Sequence, residues 1–139
     1  MKKYQERFVE VIDYIEANLD TELDIDKLCQ RVYLSKYHFH RQCSAFFGMS
    51  VMSLVKLLRL KRAAYQLAYR DDNKVVDIAL ANGYESHEAF SRVFKKRFNK
   101  SPSSFRRSPD WTPWHSKYEP ILILRTKVMN EKANFNVKV

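Results

Sequence analysis

The sequence predicts an all-α fold in which one two-helix unit occurs twice, joined by a long helix. Three observations carry that expectation. The 139-residue chain holds two glycines and four prolines, and 45% of its residues are hydrophobic. This disfavours a turn-rich β architecture and supplies apolar surface for a compact core. Apolar residues recur at spacings of three and four along most of residues 4–107, the period of helices that each bury one face. Residues 35–50 also fall on residues 86–101 when displaced by 51 positions.

The elements follow in order. Tyr4 to Leu19 reads as an amphipathic helix, with Phe8, Val11, Ile12, Ile15 and Leu19 inward and Glu6, Glu10, Asp13 and Glu16 outward. Asp24 is suited to cap a short helix from Ile25 to Val32, because its carboxylate accepts from the unpaired amides of a first turn. Leu28, Cys29 and Val32 are the inward positions of that helix. After a turn at Tyr33-Leu34, Ser35 caps a third helix that runs to about Phe47 and stops at Gly48, a residue that enters the left-handed region at least steric cost. Phe39, Cys43, Phe46 and Phe47 face its core side, and Lys36, Tyr37, His40, Arg41 and Ser44 lie opposite. A long helix then runs from Ser50 to about Arg70, with Val51, Leu54, Val55, Leu58, Ala63, Leu67 and Ala68 among its apolar positions. Asp71-Asp72-Asn73 breaks the pattern.

A short helix from Val75 to Ala81 comes next, apolar at Val75, Ile78 and Ala79, then a turn holding Gly83. The following helix, Ser86 to Phe98, turns Phe90, Val93, Phe94 and Phe98 inward and His87, Glu88, Ser91, Arg92 and Lys95 outward. Ser101-Pro102 opens a last short helix, since proline suits a first turn and serine caps it. Phe105 anchors that helix, and Arg106 and Arg107 end it. Residues 110–120 show no helical period and read as a linker. Ile121 to Leu124, and the alternating Phe135, Val137 and Val139, are candidate strands of a short stub at 121–139, stable only if packed on something else.

A short helix, a tight turn and a longer helix with a basic outer face is the layout of a helix-turn-helix, and the repeat makes two of them. Ser35 meets Ser86, Phe39 meets Phe90, Arg41 meets Arg92, Phe47 meets Phe98, Gly48 meets Asn99 and Ser50 meets Ser101. Upstream of the serines the displacement is 50, so Tyr33 meets Gly83 and Glu85 is an extra residue in the second turn. The helix between the units is about 31 Å long by its residue count. Successive major-groove faces on one side of duplex DNA lie about 34 Å apart. One chain is thereby expected to present two recognition helices to neighbouring grooves.

Charge fits that partner. The net charge is +9, but residues 1–24 hold three basic against seven acidic side chains, a balance of −4. Residues 25–107 hold seventeen against six, a balance of +11, and residues 108–139 balance at +2. A basic middle suits a polyanion, because each lysine or arginine near a phosphate releases bound counterions. Lys95, Lys96, Arg97, Lys100, Arg106 and Arg107 are the expected phosphate contacts, which position without specifying sequence. Cys29 and Cys43 form neither a metal-ligand spacing nor a disulfide framework and read as reduced core residues. No glycine-rich phosphate loop or nucleophile elbow is present, and His38 and His40 are two residues apart, on different helix faces. The expectation is no enzyme, no metal and no cofactor. No apolar run approaches membrane-spanning length and no secretion signal opens the chain, so no membrane partner and a cytoplasmic location are expected. The competing reading is a helical protein-interaction module that docks through its acidic first helix.

Ile78-Ala79, Gly83-Tyr84, Ser86, Phe90, Arg92, Phe94-Lys95, Ser101-Pro102 and Phe105-Arg106 together resemble the signature of AraC/XylS-type transcription regulators. Ser35, Phe39, Arg41, Phe47-Gly48, Ser50 and Arg59-Leu60 fit its first half. The similarity covers about residues 5–109 and is greatest to the Rob/MarA/SoxS type. Arg107 to Trp111 also resembles the exit from this domain in Rob-like members. There a gyrase-inhibitor-like effector domain follows, of which residues 121–139 would be a truncated or degenerate stub.

The resemblance implies a seven-helix DNA-binding domain at residues 1–109. It implies monomeric binding to an asymmetric promoter site and activation through contact with RNA polymerase. It places base reading at Tyr37, His40 and Arg41 in the first unit, with Lys36 and Ser44 nearby at phosphates. In the second unit base reading falls to His87, Glu88, Ser91 and Arg92. MarA-type readers carry Trp, Gln and Arg where this chain has Tyr37, His40 and Arg41, and two glutamines where it has His87 and Glu88. Base preference is therefore expected to differ from theirs. Tyr33 stands where the first turn usually has glycine; either the turn relaxes or Tyr33 takes a left-handed conformation.

Overall fold

The computed structural model describes residues 4–117. Among them run seven helices: α1 (Tyr4–Ala17), α2 (Ile25–Arg31), α3 (Lys36–Phe47), α4 (Val51–Tyr69), α5 (Val75–Ala81), α6 (His87–Phe98) and α7 (Pro102–Arg107). Residues 112–117 are helical as well, and no strand occurs among the described residues. The expected strands at 121–124 and 135–139 lie outside them. The chain divides into two compact units, the first closing at Leu54 and the second comprising Val55–Lys117, so the boundary falls inside α4.

In the first unit the stripe on α1 buries Phe8, Val11, Ile12 and Ile15 to 1% exposure or less. Leu28 and Cys29 of α2, Phe39 and Cys43 of α3, and Val51 and Leu54 of α4 complete that core. Phe8 lies 5.6 Å from Phe39, 5.8 Å from Phe46 and 5.6 Å from Phe47, centroid to centroid, within the range of favourable ring pairs. Phe46 was expected inside and is 39% exposed. Its ring is tilted 37° to that of Phe8, consistent with a position at the edge of the α3 stripe. The Asp24 carboxylate accepts from the Lys27 amide at 3.1 Å, and α3 ends at Gly48 with φ 67°. Both cysteines are free and buried. Burial pushes the Cys43 thiol up to about 12, with Cys29 adding to the effect.

The second unit repeats the first closely. Tyr33 N–H donates to Gln30 O and Gly83 N–H to Leu80 O, at 3.2 and 3.1 Å. Leu34 N–H donates to Cys29 O and Tyr84 N–H to Ala79 O, at 2.9 and 3.1 Å. Tyr33 and Gly83 are both left-handed, at φ 57° and 89°. The first turn therefore does not relax; Tyr33 takes the strained conformation, 85% exposed and with its carbonyl accepting from Arg7 at 3.2 Å. Glu85, the extra residue, is exposed in a bend.

The core of the second unit is aromatic. Phe90, Phe94, Phe98 and Phe105 are fully buried. Phe94 stacks on Phe98 at 4.5 Å, and Phe105 meets Phe98 edge-on at 5.2 Å. Val93 was expected in this core but is 39% exposed; a stripe already filled by three phenylalanines leaves it at the margin. Residues 112–117, expected as part of a linker without helical period, are instead helical. Asp110 accepts from the Thr112 amide at 3.0 Å; hydrogen bonding to the Thr112 side chain first, and to its amide second, holds the Asp110 carboxyl below the usual range. Trp114 is 2% exposed and stacks on Phe98 at 5.8 Å.

Candidate nucleic-acid interface

Two serines set the geometry of the outward helix faces. Ser35 Oγ accepts from the His38 amide at 3.0 Å and Ser86 Oγ from the Ala89 amide at 3.1 Å, so α3 and α6 start at matching points of the repeat. Caps of this kind stabilise by about 1 kcal/mol each, and they fix which residues occupy the first two turns.

On α3, Lys36, Tyr37, Arg41 and Ser44 are exposed and His40 is half-buried, its ring 6.0 Å from Phe39. Tyr37, His40, Arg41, Ser44 and Ala45 line a shallow open depression. The Arg41 guanidinium lies over the Tyr37 ring at 5.5 Å from its centroid, one helical turn apart. Lys36 pairs with Asp26 at 3.3 Å, both side chains more than half exposed. Exposed pairs of this kind contribute about 0–1 kcal/mol, so Lys36 is free to exchange Asp26 for a phosphate.

On α6, His87, Glu88, Arg92, Lys95 and Lys96 are exposed, and Arg97 is half-buried. The Ser91 hydroxyl is buried without a hydrogen-bond partner. The residue as a whole is half-buried, so in this conformation it offers the expected reading face no free hydroxyl. Lys100 donates to Ser108 O at 2.9 Å, and Arg107 is exposed. Arg106 departs from the expected phosphate role: its Nε donates to Leu67 O and a terminal nitrogen to Arg70 O, both at 3.0 Å. Leu67 lies in the last turn of α4 and Arg70 directly follows it, where a cation both fills open acceptors and meets the negative end of the helix dipole.

One positioning network escaped the sequence reading. Asn82, 3% exposed, accepts from Arg62 Nε at 2.8 Å and donates to Gln66 at 2.9 Å and to Ile78 O at 2.8 Å. Arg62 also donates to Ala81 O at 3.0 Å. These bonds fasten the end of α5, and the turn that launches α6, onto α4. An asparagine beside a glycine reads as turn chemistry, so only its spacing from Arg62 and Gln66 on the long helix carried a signal.

Among the described residues no group of three or more His, Cys, Asp or Glu is placed to hold a metal ion. No single described helix is long and apolar enough to cross a membrane.

A duplicated helix-turn-helix with a basic outer face on each second helix defines a class, the double helix-turn-helix DNA-binding regulators. The chain belongs to the AraC-type family of these transcription regulators: residues 28–108 match the family model described as a helix-turn-helix domain. It is similar to the uncharacterized HTH-type transcriptional regulator YbfP of Bacillus subtilis, 38% identical over 103 residues, covering 74% of this chain and 35% of that one. It is similar also to the right origin-binding protein of Escherichia coli, 30% identical with the same coverage. Among solved structures, an AraC-type transcriptional regulator from Chromobacterium violaceum superposes with a TM-score of 0.66 at 28% identity, over 76% of this chain and 96% of that one. The chain spans about a third of the length of the two curated relatives. The family is one of DNA-binding regulators, not of enzymes.

Proposed function

We propose that this chain reads a specific duplex site in the cytoplasm, as a monomer, by placing α3 and α6 in neighbouring major grooves of an asymmetric promoter sequence. Base reading rests on Tyr37, His40 and Arg41 in α3 and on His87, Glu88 and Arg92 in α6. Lys36, Ser44, Lys95, Lys96, Arg97, Lys100 and Arg107 hold phosphates. The observation that carries the proposal is the register of the two exposed arginines. Arg41 and Arg92 occupy the same position in the two units, each six residues after its capping serine. Each can bond guanine through both acceptors of its major-groove edge. The DNA-binding domain runs beyond residue 109 to include residues 110–117, a reading supported by the burial of Trp114. The family resemblance supports an activator that contacts RNA polymerase.

Binding to random duplex DNA across a salt series tests the proposal first. A steep negative slope of log K against log salt is expected. A flat response with no measurable binding overturns it and leaves the protein-interaction reading. Transcription from a selected site with purified RNA polymerase tests the activator role, and the mass of the protein–DNA complex in solution tests the monomer.

A further inference from the structure

We infer that Glu88 is a specificity-determining residue of the second unit, selecting a cytosine within one or two base pairs of the guanine read by Arg92. The inference rests on the DNA-reading function proposed above. Glu88 and Arg92 are both exposed on α6, and among the described residues neither side chain makes a hydrogen bond or ion pair. With the Ser91 hydroxyl buried, Glu88 and Arg92 present one carboxylate and one guanidinium four residues apart, beside the exposed His87.

The repeat supplies an internal comparison. The position of Glu88 corresponds to that of Tyr37 in α3, and the Tyr37 ring lies under the Arg41 guanidinium at 5.5 Å. In α3 the residue one turn before the arginine supports the arginine. In α6 the two side chains form no hydrogen bond or ion pair, which leaves the exposed carboxylate available for a contact of its own.

The chemistry of the groove then chooses the base. An ionised carboxylate only accepts hydrogen bonds. Guanine O6 and N7 and thymine O4 are acceptors and repel it. Adenine offers an amino group, but its N7 acceptor lies alongside. Cytosine offers its N4 amino group with no acceptor beside it on that edge. Four residues of helix advance about 6 Å and a base step about 3.4 Å, which sets the separation from the guanine at one or two pairs.

The test is selection of bound sequences from a random duplex pool by the full chain, followed by affinity measurements on the selected site and its single-pair variants. Wild type is expected to enrich a cytosine one or two pairs from a guanine. E88Q is expected to move the preference at the cytosine position to adenine, which glutamine bonds at N6 and N7, with discrimination changing about tenfold. E88Y, which installs the α3 arrangement, is expected to erase that preference and keep the guanine. R92A is expected to lose the guanine alone. Thermal melts followed by circular dichroism confirm that each variant is folded. If E88Q and E88Y leave every position unchanged while R92A or R41A alters one, DNA reading stands and the assignment of Glu88 fails. A wild-type chain that enriches no sequence overturns the proposed function, and the assignment with it.

Discussion

Gly48 and Asn99 end α3 and α6 in the same left-handed conformation, at φ 67° and 62°. A Cβ added at Gly48 meets nothing within 4 Å, so any penalty there comes from backbone conformation alone. Gly48→Asn should change stability by less than about 1 kcal/mol, and Gly48→Val should cost about 1–2 kcal/mol or more, since a β-branched residue is poorly tolerated at that conformation. Urea midpoints of the two variants check this; equal losses would mean that tolerance of the left-handed conformation is not what limits the site. The equivalence of Gly48 and Asn99 was legible in the sequence, as were the capping serines, because turn chemistry depends on residue type. The left-handed Tyr33 was legible only as one of two outcomes. The burial of the Ser91 hydroxyl was not legible, since a residue at the flank of a helix stripe can roll either way.

Cys43 makes a second test at this scale. It is fully buried, and its thiol holds its proton to about 12, against an ordinary 9.0. Above pH 9 the unfolded chain releases a proton that the folded chain keeps. Stability from this residue is thus fully present below pH 9 and is lost as pH rises toward 12, at up to about 1.4 kcal/mol per pH unit. Measured against a Cys43→Ala variant, which cancels the other titrating groups, wild type should lose the difference across that window. A difference that stays constant with pH would show that the thiol does not couple to folding.

At the scale of elements, the helices were legible because their apolar stripes are long enough to show a period. Their ends were legible because caps mark them. The failures share one cause, that tertiary partners are invisible from a single stripe. Residues 112–117 are too few to reveal a helical period, and nothing local shows that Phe98 and Phe105 leave room for Trp111 and Trp114. Arg106 looked like a surface cation because the carbonyls it fills lie at the end of α4. Asn82 looked like a turn residue because Arg62 and Gln66 precede it by one whole element. Trp114→Ala should therefore cost about 3–5 kcal/mol, as for other large buried aromatics. Asn82→Ala should cost about 1–3 kcal/mol, from buried hydrogen bonds left unpaired. Both tryptophans of the chain, Trp111 and Trp114, lie in the second unit, so in the Asn82 variant tryptophan fluorescence reports unfolding of the unit that carries the lesion. Circular dichroism serves the Trp114 variant. A Trp114→Ala loss below about 1 kcal/mol would restore residues 112–117 to the status of a linker.

For the whole molecule, the excess of positive charge acts on folding and on binding with opposite signs. A net +9 repels itself in the folded state, so added salt should raise the thermal midpoint by screening that repulsion. The same salt should weaken DNA binding, because the counterion release that drives association is worth less when counterions are plentiful. The structure refines the expected slope. Arg106 is bonded at the end of α4 and Ser44 carries no charge, which leaves Lys36, Lys95, Lys96, Arg97, Lys100 and Arg107 as the charged residues among the proposed phosphate contacts. Six neutralised phosphates would give a slope of log K against log salt of about −5.4 on duplex DNA. Replacing Lys95 and Lys96 together by alanine should bring that slope to about −3.6 and weaken selected and random duplexes alike, because phosphate contacts carry no sequence information. Arg106→Ala should instead lower the thermal midpoint and leave the slope near its wild-type value. If Arg106→Ala reduces the slope by about one unit at unchanged stability, its guanidinium leaves the end of α4 for a phosphate when DNA binds.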